Sequence, residues 1–527
     1  MNDLLTTWKH EHWPIIKSTP ALELGEGVID EGTFNSIEVD KLFESINYAS
    51  TTIGQAVLFR SLARPLSDIA EIQAKQSAVE ELRSHVALRD GLEKVIEQAA
   101  SHESNFYLLL FGEFHSSLGS MQDVHEIDGY GYRHYRKGVQ LLIDLVDQIQ
   151  SLDKPQSPYL SQLFERITQF SETHAYSLMK GPVFITENGI QCKQERSDSW
   201  LPAIIFIPRI IKPILLGAIF ASIWLVSHFA PEAVLVEIPD EAIFLTPFSL
   251  LYFPLVGGFD RDHCMMPLRN LYKNSEAVAD TLDALGQLDE LLSFLKFADH
   301  FGHQTVLPTL VEGHHHRLNL TDAKNPVLAK TRLDYVGNDL VLDDEKLLLV
   351  TGPNSGGKTA LCKTVTQIQV LAQIGCFVPA YSATLTVADK VFYQAPEISH
   401  LNDGEGRFGT ELKRTKDIFL ATTAKSLIVL DEMSEGTTFE EKMESSANVL
   451  NGFYRKGNST ILITHNHQLV DMFVKQRTGV AKQVEFANDA PTYKIIPGIS
   501  RVSHADRVAK KIGFSKEDID HYLEDSQ

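Results

Sequence analysis

Cysteine is scarce in this sequence, and the few cysteines are not arranged for a disulfide framework or a metal-binding knuckle. Only four occur in 527 residues, Cys192, Cys264, Cys362 and Cys376, and no pair has the Cys-x-x-Cys spacing. The first residues, MNDLLTTWKHEHWP, also lack the apolar core of a signal peptide. These absences predict a reducing, cytoplasmic compartment.

Positive charge is also in short supply. The chain carries 48 Lys and Arg against 69 Asp and Glu, which gives a formal net charge of −21. A chain this acidic is not a general binder of polyanions. Any contact with nucleic acid must therefore come from a local basic patch.

The chain is too long for a single compact core, so two or more domains are expected. Apolar residues recur at helical spacing from about Val39 to about Gln150, and again from Asn274 to Ala298. Pro65 is expected to separate two of the helices. From about Asp322 the pattern changes to α/β, with short apolar strands at 346–351, 426–430 and 460–464 that alternate with helical segments.

Two stretches without Asp, Glu, Lys or Arg interrupt the helical half, at residues 214–231 and 242–259. About 18 apolar residues are close to the length that spans a bilayer, and the basic flanks suit a hairpin whose ends stay cytoplasmic. Pro247 and Pro254 weaken the second span. Two interpretations of the apolar hairpin at about 203–259 stay open: membrane association, or a buried helical hairpin or hydrophobic partner surface.

A glycine-rich loop, TGPNSGGKT, follows the strand at 346–351. It fits G-x-x-x-x-G-K-[ST] at every position, between a strand and a helix, which is the context the motif requires. Such glycines let backbone N–H groups converge on phosphate oxygens at the positive end of the helix dipole. We expect Lys358 to reach the β- and γ-phosphates and the Thr359 hydroxyl to bind Mg²⁺. The predicted nucleotide-binding residues of the loop are Gly352, Pro353, Asn354, Ser355, Gly356, Gly357, Lys358 and Thr359.

Two later strands end on residues suited to triphosphate chemistry. The apolar strand at 426–430 is followed by Asp431, a candidate magnesium ligand, and Glu432, a candidate general base for the attacking water. The strand at 460–464 leads to His465, which is placed to sense the γ-phosphate at the edge where ligands bind in such sheets. Taken alone, Asp431 and Glu432 could form an ordinary charged turn after their strand. Likewise, His465 could simply cap the end of its own strand. Together with the loop, they predict Glu432, Lys358 and His465 as catalytic residues, Thr359 and Asp431 as metal ligands, and ATP and Mg²⁺ as cofactors.

The residues of these motifs resemble those of the MutS family, the DNA mismatch-repair ATPases. The resemblance is carried by TGPNSGGKTALCKTVTQIQVLAQIGCFVPA at 351–380, by DEMSEGTT at 431–438 and by Thr464-His465. Upstream, NPVL at 325–328 and YVGND at 335–339 resemble the segment that contacts the adenine, so Tyr335 is the candidate ring for stacking on the base. Residues 45–82 are similar to the start of the family's core and lever region.

The resemblance implies a multidomain fold, with an α-helical core/lever domain followed by an α/β P-loop (ABC-type) ATPase domain and a short helical C-terminal tail. The expected boundaries are 1–35 for an N-terminal segment, 36–300 for the helical domain, 301–500 for the ATPase domain and 501–527 for the tail. The mismatch-reading and connector domains have no room before residue 36, which implies a small MutS-related member. The segment 403–411 lacks the usual serine after Gly-Arg, so contacts across a dimer stay undefined.

The function implied is a Mg²⁺-dependent ATPase, acting as a homodimer, that couples ATP binding and hydrolysis to DNA binding in mismatch repair or DNA processing. The preferred DNA structure is not specified by these motifs. An alternative is a membrane-associated, ATP-driven switch that acts on a protein partner, with its ATPase domain cytoplasmic.

Two other clusters favour ordinary structural roles. Residues 130–137 interleave aromatic and basic side chains, as in surfaces that bind single-stranded nucleic acid. A solvated helix face or a loop is nevertheless the favoured interpretation. His314, His315 and His316 are consecutive, and consecutive side chains do not converge on one ion in a helix or strand. A surface loop is expected there.

Overall fold

A computed structural model describes residues 17, 23–114, 126–127, 131–187, 189–196, 203–208, 222, 256–353, 356–396, 406–433, 439–487, 490–500 and 512–524. The chain divides into two compact units. The first comprises Met1–Ser18, Ala49–Val57 and Glu81–Leu292, and the second comprises Thr19–Tyr48, Leu58–Glu80 and Ser293–Gln527. The protein is therefore multidomain, with a helical N-terminal region and a later α/β region.

Helices dominate the described residues before position 300. In chain order the α-helices are α1 (Glu31–Ser36), α2 (Val39–Ile46), α3 (Thr52–Ala63), α4 (Ile69–Ser84), α5 (Val86–Phe111), α6 (Tyr132–Ser151), α7 (Pro158–Gln169), α8 (His174–Lys180), α9 (Met266–Lys273), α10 (Glu276–His300), α11 (Lys358–Gln373), α12 (Gly406–Ala421), α13 (Phe439–Lys456), α14 (His467–Lys475) and α15 (Lys516–Glu524). Pro65 lies between α3 and α4, as predicted.

Between α10 and the C-terminal segment, strands alternate with helices, and five shorter strands lie before α10 in the described part of the chain. In chain order the strands are β1 (Glu113–Phe114), β2 (Glu126–Ile127), β3 (Val183–Thr186), β4 (Gly189–Gln191), β5 (Ile204–Phe206), β6 (Thr309–Val311), β7 (Leu318–Ala323), β8 (Asn338–Leu342), β9 (Leu347–Thr351), β10 (Ser382–Thr386), β11 (Val391–Gln394), β12 (Leu427–Asp431), β13 (Ser459–Ile463), β14 (Val480–Ala487) and β15 (Ala490–Pro497). The three strands predicted around the site correspond to β9, β12 and β13, each within one residue.

In the first unit, two buried carboxylates hold the N-terminal end of α3. Asp289 accepts hydrogen bonds from the backbone N–H groups of Ser50 and Thr51, at 3.1 and 2.7 Å. Glu103 accepts from the N–H groups of Thr52 and Ile53, at 2.7 and 2.9 Å. The first N–H groups of a helix have no partner within it, and the helix dipole favours negative charge there. The two acids thus satisfy donors that burial would otherwise leave unpaired.

The aromatic and basic cluster at 130–137 lies at the start of α6. Tyr132 and Tyr135 are buried, whereas Arg133, Arg136 and Lys137 are exposed. The Tyr135 hydroxyl lies 2.9 Å from that of Tyr272, inside the first unit. Because these two rings are in the core, they offer no stacking platform; Tyr130 lies outside the described residues. The prediction of a solvated helix face is confirmed.

The second unit is built on a six-stranded sheet with the order β11-β12-β13-β9-β14-β15. The first five strands are parallel to their neighbours, and β15 pairs antiparallel with β14. Strands β9, β12 and β13 are buried along their whole length. Fully apolar sequences are what central parallel strands require, because both faces are covered. A four-stranded sheet, β6-β10-β7-β8, belongs to the same unit.

The apolar hairpin predicted at 203–259 lies outside the described residues, apart from 203–208, 222 and 256–259. Within the described part, β5 pairs antiparallel with β3. No helix among the described residues has both the length and the apolar content needed to cross a bilayer.

The expectation of a surface loop at His314–His316 is wrong at His316, which is fully buried. Its ring Nε2 lies 3.3 Å from Oε1 of Gln369, and its backbone N–H donates to the carbonyl of Ala424 at 2.9 Å. Buried and exposed positions alternate from His316 through Leu320. His316 therefore continues the inward face of β7, which a run of three identical residues does not reveal.

The protein should lose stability on acidification because of His316. Burial lowers the pKa of His316 from 6.5 to about 4. Between these values the unfolded chain binds a proton that the folded chain does not, so the stabilisation is present above pH 6.5 and is lost as pH falls towards 4. The loss expected is about 3 kcal/mol. Urea unfolding at pH 7 and pH 4 measures it, and His316→Gln should show a smaller fall than the wild type.

The exposed neighbour supplies the matched control, since His314→Gln should keep the wild-type pH dependence. An equal fall in unfolding free energy for the wild type and His316→Gln would contradict the role of His316.

Candidate functional site

Three strand ends meet at one edge of the six-stranded sheet in the second unit. Asp431 is paired with Ile463, and Ile463 with Val350, so β12, β13 and β9 end level with one another. The glycine-rich loop leaves β9 at this edge, and His465 lies two residues beyond β13. The sheet register thus brings together the segments that the sequence predicted to share a site.

The glycine-rich loop packs tightly against strand β14. A Cβ atom on Gly352 would lie 2.9 Å from Cγ2 of Val484, and one on Gly356 would lie 2.7 Å from the same atom. Gly352 and Gly357 also have φ angles of +128° and +90°, which side-chain-bearing residues rarely adopt. Glycine is therefore required on steric and conformational grounds. Asn354 and Ser355 lie outside the described residues, and Pro353 lies within them.

Lys358 is the first residue of α11 and folds back over the loop. It is only 3% exposed, and its Nζ donates to the carbonyl oxygen of Gly352 at 2.6 Å. Burial lowers the pKa of Lys358, and the nearby carboxylates of Glu432 and Asp431 oppose that effect. A buried ammonium at a helix N-terminus suits an anionic ligand.

Next to the loop, two hydroxyl groups share one carboxylate oxygen. The Thr359 hydroxyl lies 3.1 Å from Oδ2 of Asp431, and the Tyr393 hydroxyl donates to the same atom at 3.2 Å. Burial raises the pKa of Asp431, while these two hydrogen bonds lower it. Thr359 and Asp431 thus form an adjacent pair of hard oxygen donors, the ligand type that Mg²⁺ prefers. Tyr393 was not predicted, because it lies inside the apolar strand β11.

Glu432 and His465 form a second pair at the same edge. Oε1 of Glu432 lies 2.9 Å from Nε2 of His465. Glu432 has a left-handed φ of +54°, and its backbone N–H donates to the carbonyl of Ile463 at 3.1 Å. Strained backbone of this kind is held only where the surroundings fix it, and it often orients a functional side chain. The sequence predicted both residues but not their direct contact.

A cavity of about 340 Å³ opens beside the loop and α11. Tyr335, the predicted stacking residue, is one of its walls, and Tyr493, which sequence reasoning missed, is another. The Asn338 side chain fixes Tyr493 by donating to its carbonyl oxygen at 3.0 Å and accepting from the N–H of Ile495 at 2.7 Å. The remaining lining residues are Ala323, Leu328, Arg332, Asp334, Val336, Asn338, Gly357, Thr359, Ala360, Leu361 and Thr364.

Two protein-family models match this chain. The model for MutS domain III matches residues 18–294, which is more than half of the chain, and the model for MutS domain V matches residues 348–524. The chain belongs to the MutS family. This finding confirms the resemblance carried by the sequence motifs, and the helical region and the α/β region are consistent with domains III and V.

Curated relatives of the chain are DNA mismatch repair proteins. It is 32% identical to MutS of Parabacteroides distasonis over 244 residues, which is 44% of this chain and 28% of that protein. It is 25% identical to MutS of Synechocystis over 496 residues, covering 86% of this chain and 53% of the relative. With MutS of Methanosarcina mazei the identity is 24% over 567 residues, covering 97% and 59%. In the last two comparisons nearly all of this chain is aligned, and it spans a little over half the length of each relative.

Removing the ring of Tyr335 should weaken ATP binding if the cavity takes the base of the nucleotide. Tyr335→Ala loses a stacking face worth about 1 kcal/mol, so the dissociation constant should rise several-fold. Tyr493→Ala should shift it in the same direction. Calorimetric titration with a non-hydrolysable ATP analogue measures the affinity.

Two variants serve as controls for this measurement. Tyr335→Phe keeps the ring and should bind nearly as well as the wild type, and Tyr381→Ala removes an exposed tyrosine that does not line the cavity. An unchanged affinity in Tyr335→Ala would place the base elsewhere.

Proposed function

We propose that this chain is a Mg²⁺-dependent ATPase of the MutS type, which couples ATP binding and hydrolysis to DNA binding in mismatch repair or a related DNA-processing role. The proposal is supported chiefly by one observation: Lys358, the Thr359–Asp431 pair and the Glu432–His465 pair lie at one edge of one sheet. Family membership and the relatives described above, which are DNA mismatch repair proteins, support the DNA-related part. No observation on the described residues favours the membrane-associated alternative.

The triphosphate would be bound by the glycine-rich loop and Lys358. The loop is packed so closely against β14 that Cβ atoms added at Gly352 or Gly356 would clash with Val484. Lys358 supplies the counter-charge at the start of α11. The cavity walled by Tyr335 and Tyr493 adjoins this loop at Gly357, so base and phosphates would have adjacent binding surfaces.

Thr359 and Asp431 would hold Mg²⁺. A bound Mg²⁺ would neutralise negative charge on the β- and γ-phosphate oxygens. Tyr393 holds the same carboxylate oxygen of Asp431 as Thr359 does. Together with Thr359, it would fix the orientation of the Asp431 carboxylate beside the loop.

Glu432 would act as the general base. Its carboxylate can accept a proton from the attacking water, and a positioned base contributes about 10²–10⁴-fold to a rate. His465 contacts this carboxylate at 2.9 Å, so it would orient Glu432 as well as sense the γ-phosphate. The left-handed backbone at Glu432 sets the direction in which its side chain leaves the chain, and the contact with His465 would hold the carboxylate in place.

We also propose that the active form is a homodimer whose opening and closing follow the nucleotide state. The family resemblance implies this arrangement. The segment 403–411, which resembles the subunit-crossing signature, is described only from residue 406, where α12 begins, so the residues that would act across the dimer are not assigned.

Glu432→Gln should separate ATP binding from hydrolysis. The amide keeps the shape of the side chain but cannot accept a proton, so phosphate release should fall by about 100-fold or more while ATP affinity is retained. The variant should accumulate as an ATP-bound dimer in sedimentation velocity. Glu440→Gln, at an exposed glutamate of α13, is the matched control. Wild-type turnover in Glu432→Gln would show that Glu432 is not the general base. A monomer in every nucleotide state would refute only the nucleotide-dependent dimer.

DNA binding by the purified chain tests the coupling. Because contacts to phosphates release counterions, affinity should fall steeply between low and moderate salt. The affinity for DNA should also change when ATP is added. Lys358→Ala removes the counter-charge for the triphosphate, so its DNA affinity should no longer respond to ATP. Fluorescence anisotropy with duplex, mismatched and branched DNA measures both effects. Absence of binding at low salt in every nucleotide state would exclude DNA as the partner.

A further inference from the structure

Three side chains of types that commonly ligate metal ions lie close together in the first unit, distant in sequence from the nucleotide motifs. His174, Cys192 and Glu195 each offer one ligand atom, and these atoms all lie within 4.8 Å of one another. We propose that they form a site for a zinc-class divalent cation, with three protein ligands and a fourth position open to solvent. The mismatch-repair and ATPase roles above do not call for this site.

The fold fixes where His174 stands. It is the first residue of α8, and the Thr173 hydroxyl caps that helix by accepting from the N–H of Tyr176 at 3.2 Å. The opposite side of α8 is anchored in the core by Tyr176, Leu178 and Met179. His174 is thereby directed outwards, and its side chain is 42% exposed.

Cys192 and Glu195 come from one tight turn. Cys192 directly follows β4, whose antiparallel pairing with β3 places Gln191 opposite Phe184. The turn closes on itself, because Oε2 of Glu195 accepts from the backbone N–H of Cys192 at 2.8 Å. The same oxygen lies 3.2 Å from Nε2 of His174. The three side chains are therefore held together before any cation binds.

The residues around Cys192 also suit a ligating thiolate. Its thiol donates to Oε1 of Gln194 at 3.7 Å, and that oxygen also accepts from the Ser177 hydroxyl at 3.5 Å. Once the thiol proton is lost, the sulfur of Cys192 could instead accept a hydrogen bond from the side-chain amide of Gln194. Groups that orient ligands in this way contribute strongly to metal affinity.

The ligand set selects the cation. A thiolate favours zinc-class ions and disfavours Mg²⁺ and Ca²⁺, which bind oxygen. One thiolate and one carboxylate balance a divalent charge, with neutral imidazole as the third ligand. Tetrahedral zinc sites have ligand atoms roughly 3.3–3.7 Å apart, a separation that side-chain rotation can reach from here.

The site would serve as a clamp within the first unit. It would tie the start of α8 to the turn after β4, and so stabilise the small sheet formed by β3, β4 and β5. Ligands must lose protons to bind, so affinity should fall as pH is lowered. None of its residues belongs to the proposed nucleotide site, so the two proposals can fail separately.

Titration of the whole 527-residue chain, chelator-treated and free of nucleotide, with Co²⁺ and Zn²⁺ tests the proposal. One equivalent of Co²⁺ should give a thiolate charge-transfer absorption, and Zn²⁺ should displace it. His174→Ala, at an exposed position, should lower the affinity by at least about tenfold. Cys192→Ser should abolish the charge-transfer absorption. Zn²⁺ should also raise the thermal unfolding midpoint of the wild type, because it binds only the folded chain.

Two controls match the variants in residue type and surroundings. His85→Ala removes another exposed histidine of the first unit that lies near a carboxylate, and Cys264→Ser removes another buried cysteine of that unit. Both should bind like the wild type. Absence of a Co²⁺ thiolate absorption in the wild type, or equal affinity in His174→Ala and His85→Ala, would overturn the site.

Discussion

The parallel register of β9, β13 and β12 is the constraint on which the candidate nucleotide site depends. Val350, Ile463 and Asp431 are successive partners across these strands. Because all three strands run in the same direction and end level, their following segments must emerge at one edge. The loop that begins at Gly352, the acids at the end of β12 and His465 after β13 therefore share one location. A shift of one residue in any strand would turn these side chains to the other face.

Helix α11 links the candidate site to other segments of the second unit. It begins at Lys358 and is buried along most of its length, yet it contains glutamines that need partners. Gln367 donates to the carbonyl of Ile37 at 2.8 Å, and Gln373 donates to that of Leu66 at 2.7 Å. Buried amides are stabilising only when they are paired, so these bonds fix the helix against the N-terminal segments. Ile37 and Leu66 lie within the domain III match but in the same compact unit as α11.

The candidate nucleotide site was largely predictable because its residues lie in short contiguous motifs. A phosphate loop needs glycines and a lysine at fixed spacing for local steric reasons, so Gly352, Gly357 and Lys358 could be identified without knowing the fold. Asp431 and Glu432 follow an apolar strand, and strand direction alone places them at the binding edge. Tyr393 and Tyr493 carry no such signal. The first is concealed in a strand and the second is far downstream, and only packing brings them beside Asp431 and the cavity.

By itself, the sequence determined the family, the order of helical and α/β regions, the three central strands and the phosphate loop. These features depend on local periodicity and on short motifs, which are readable one segment at a time. The tertiary structure decided the burial of His316, the hydroxyl partners of Asp431 and the meeting of His174 with Cys192 and Glu195. Each of these depends on which segments become neighbours when distant parts of the chain pack. A pairing of that kind is set by the contacts of the whole core, and no local pattern encodes it.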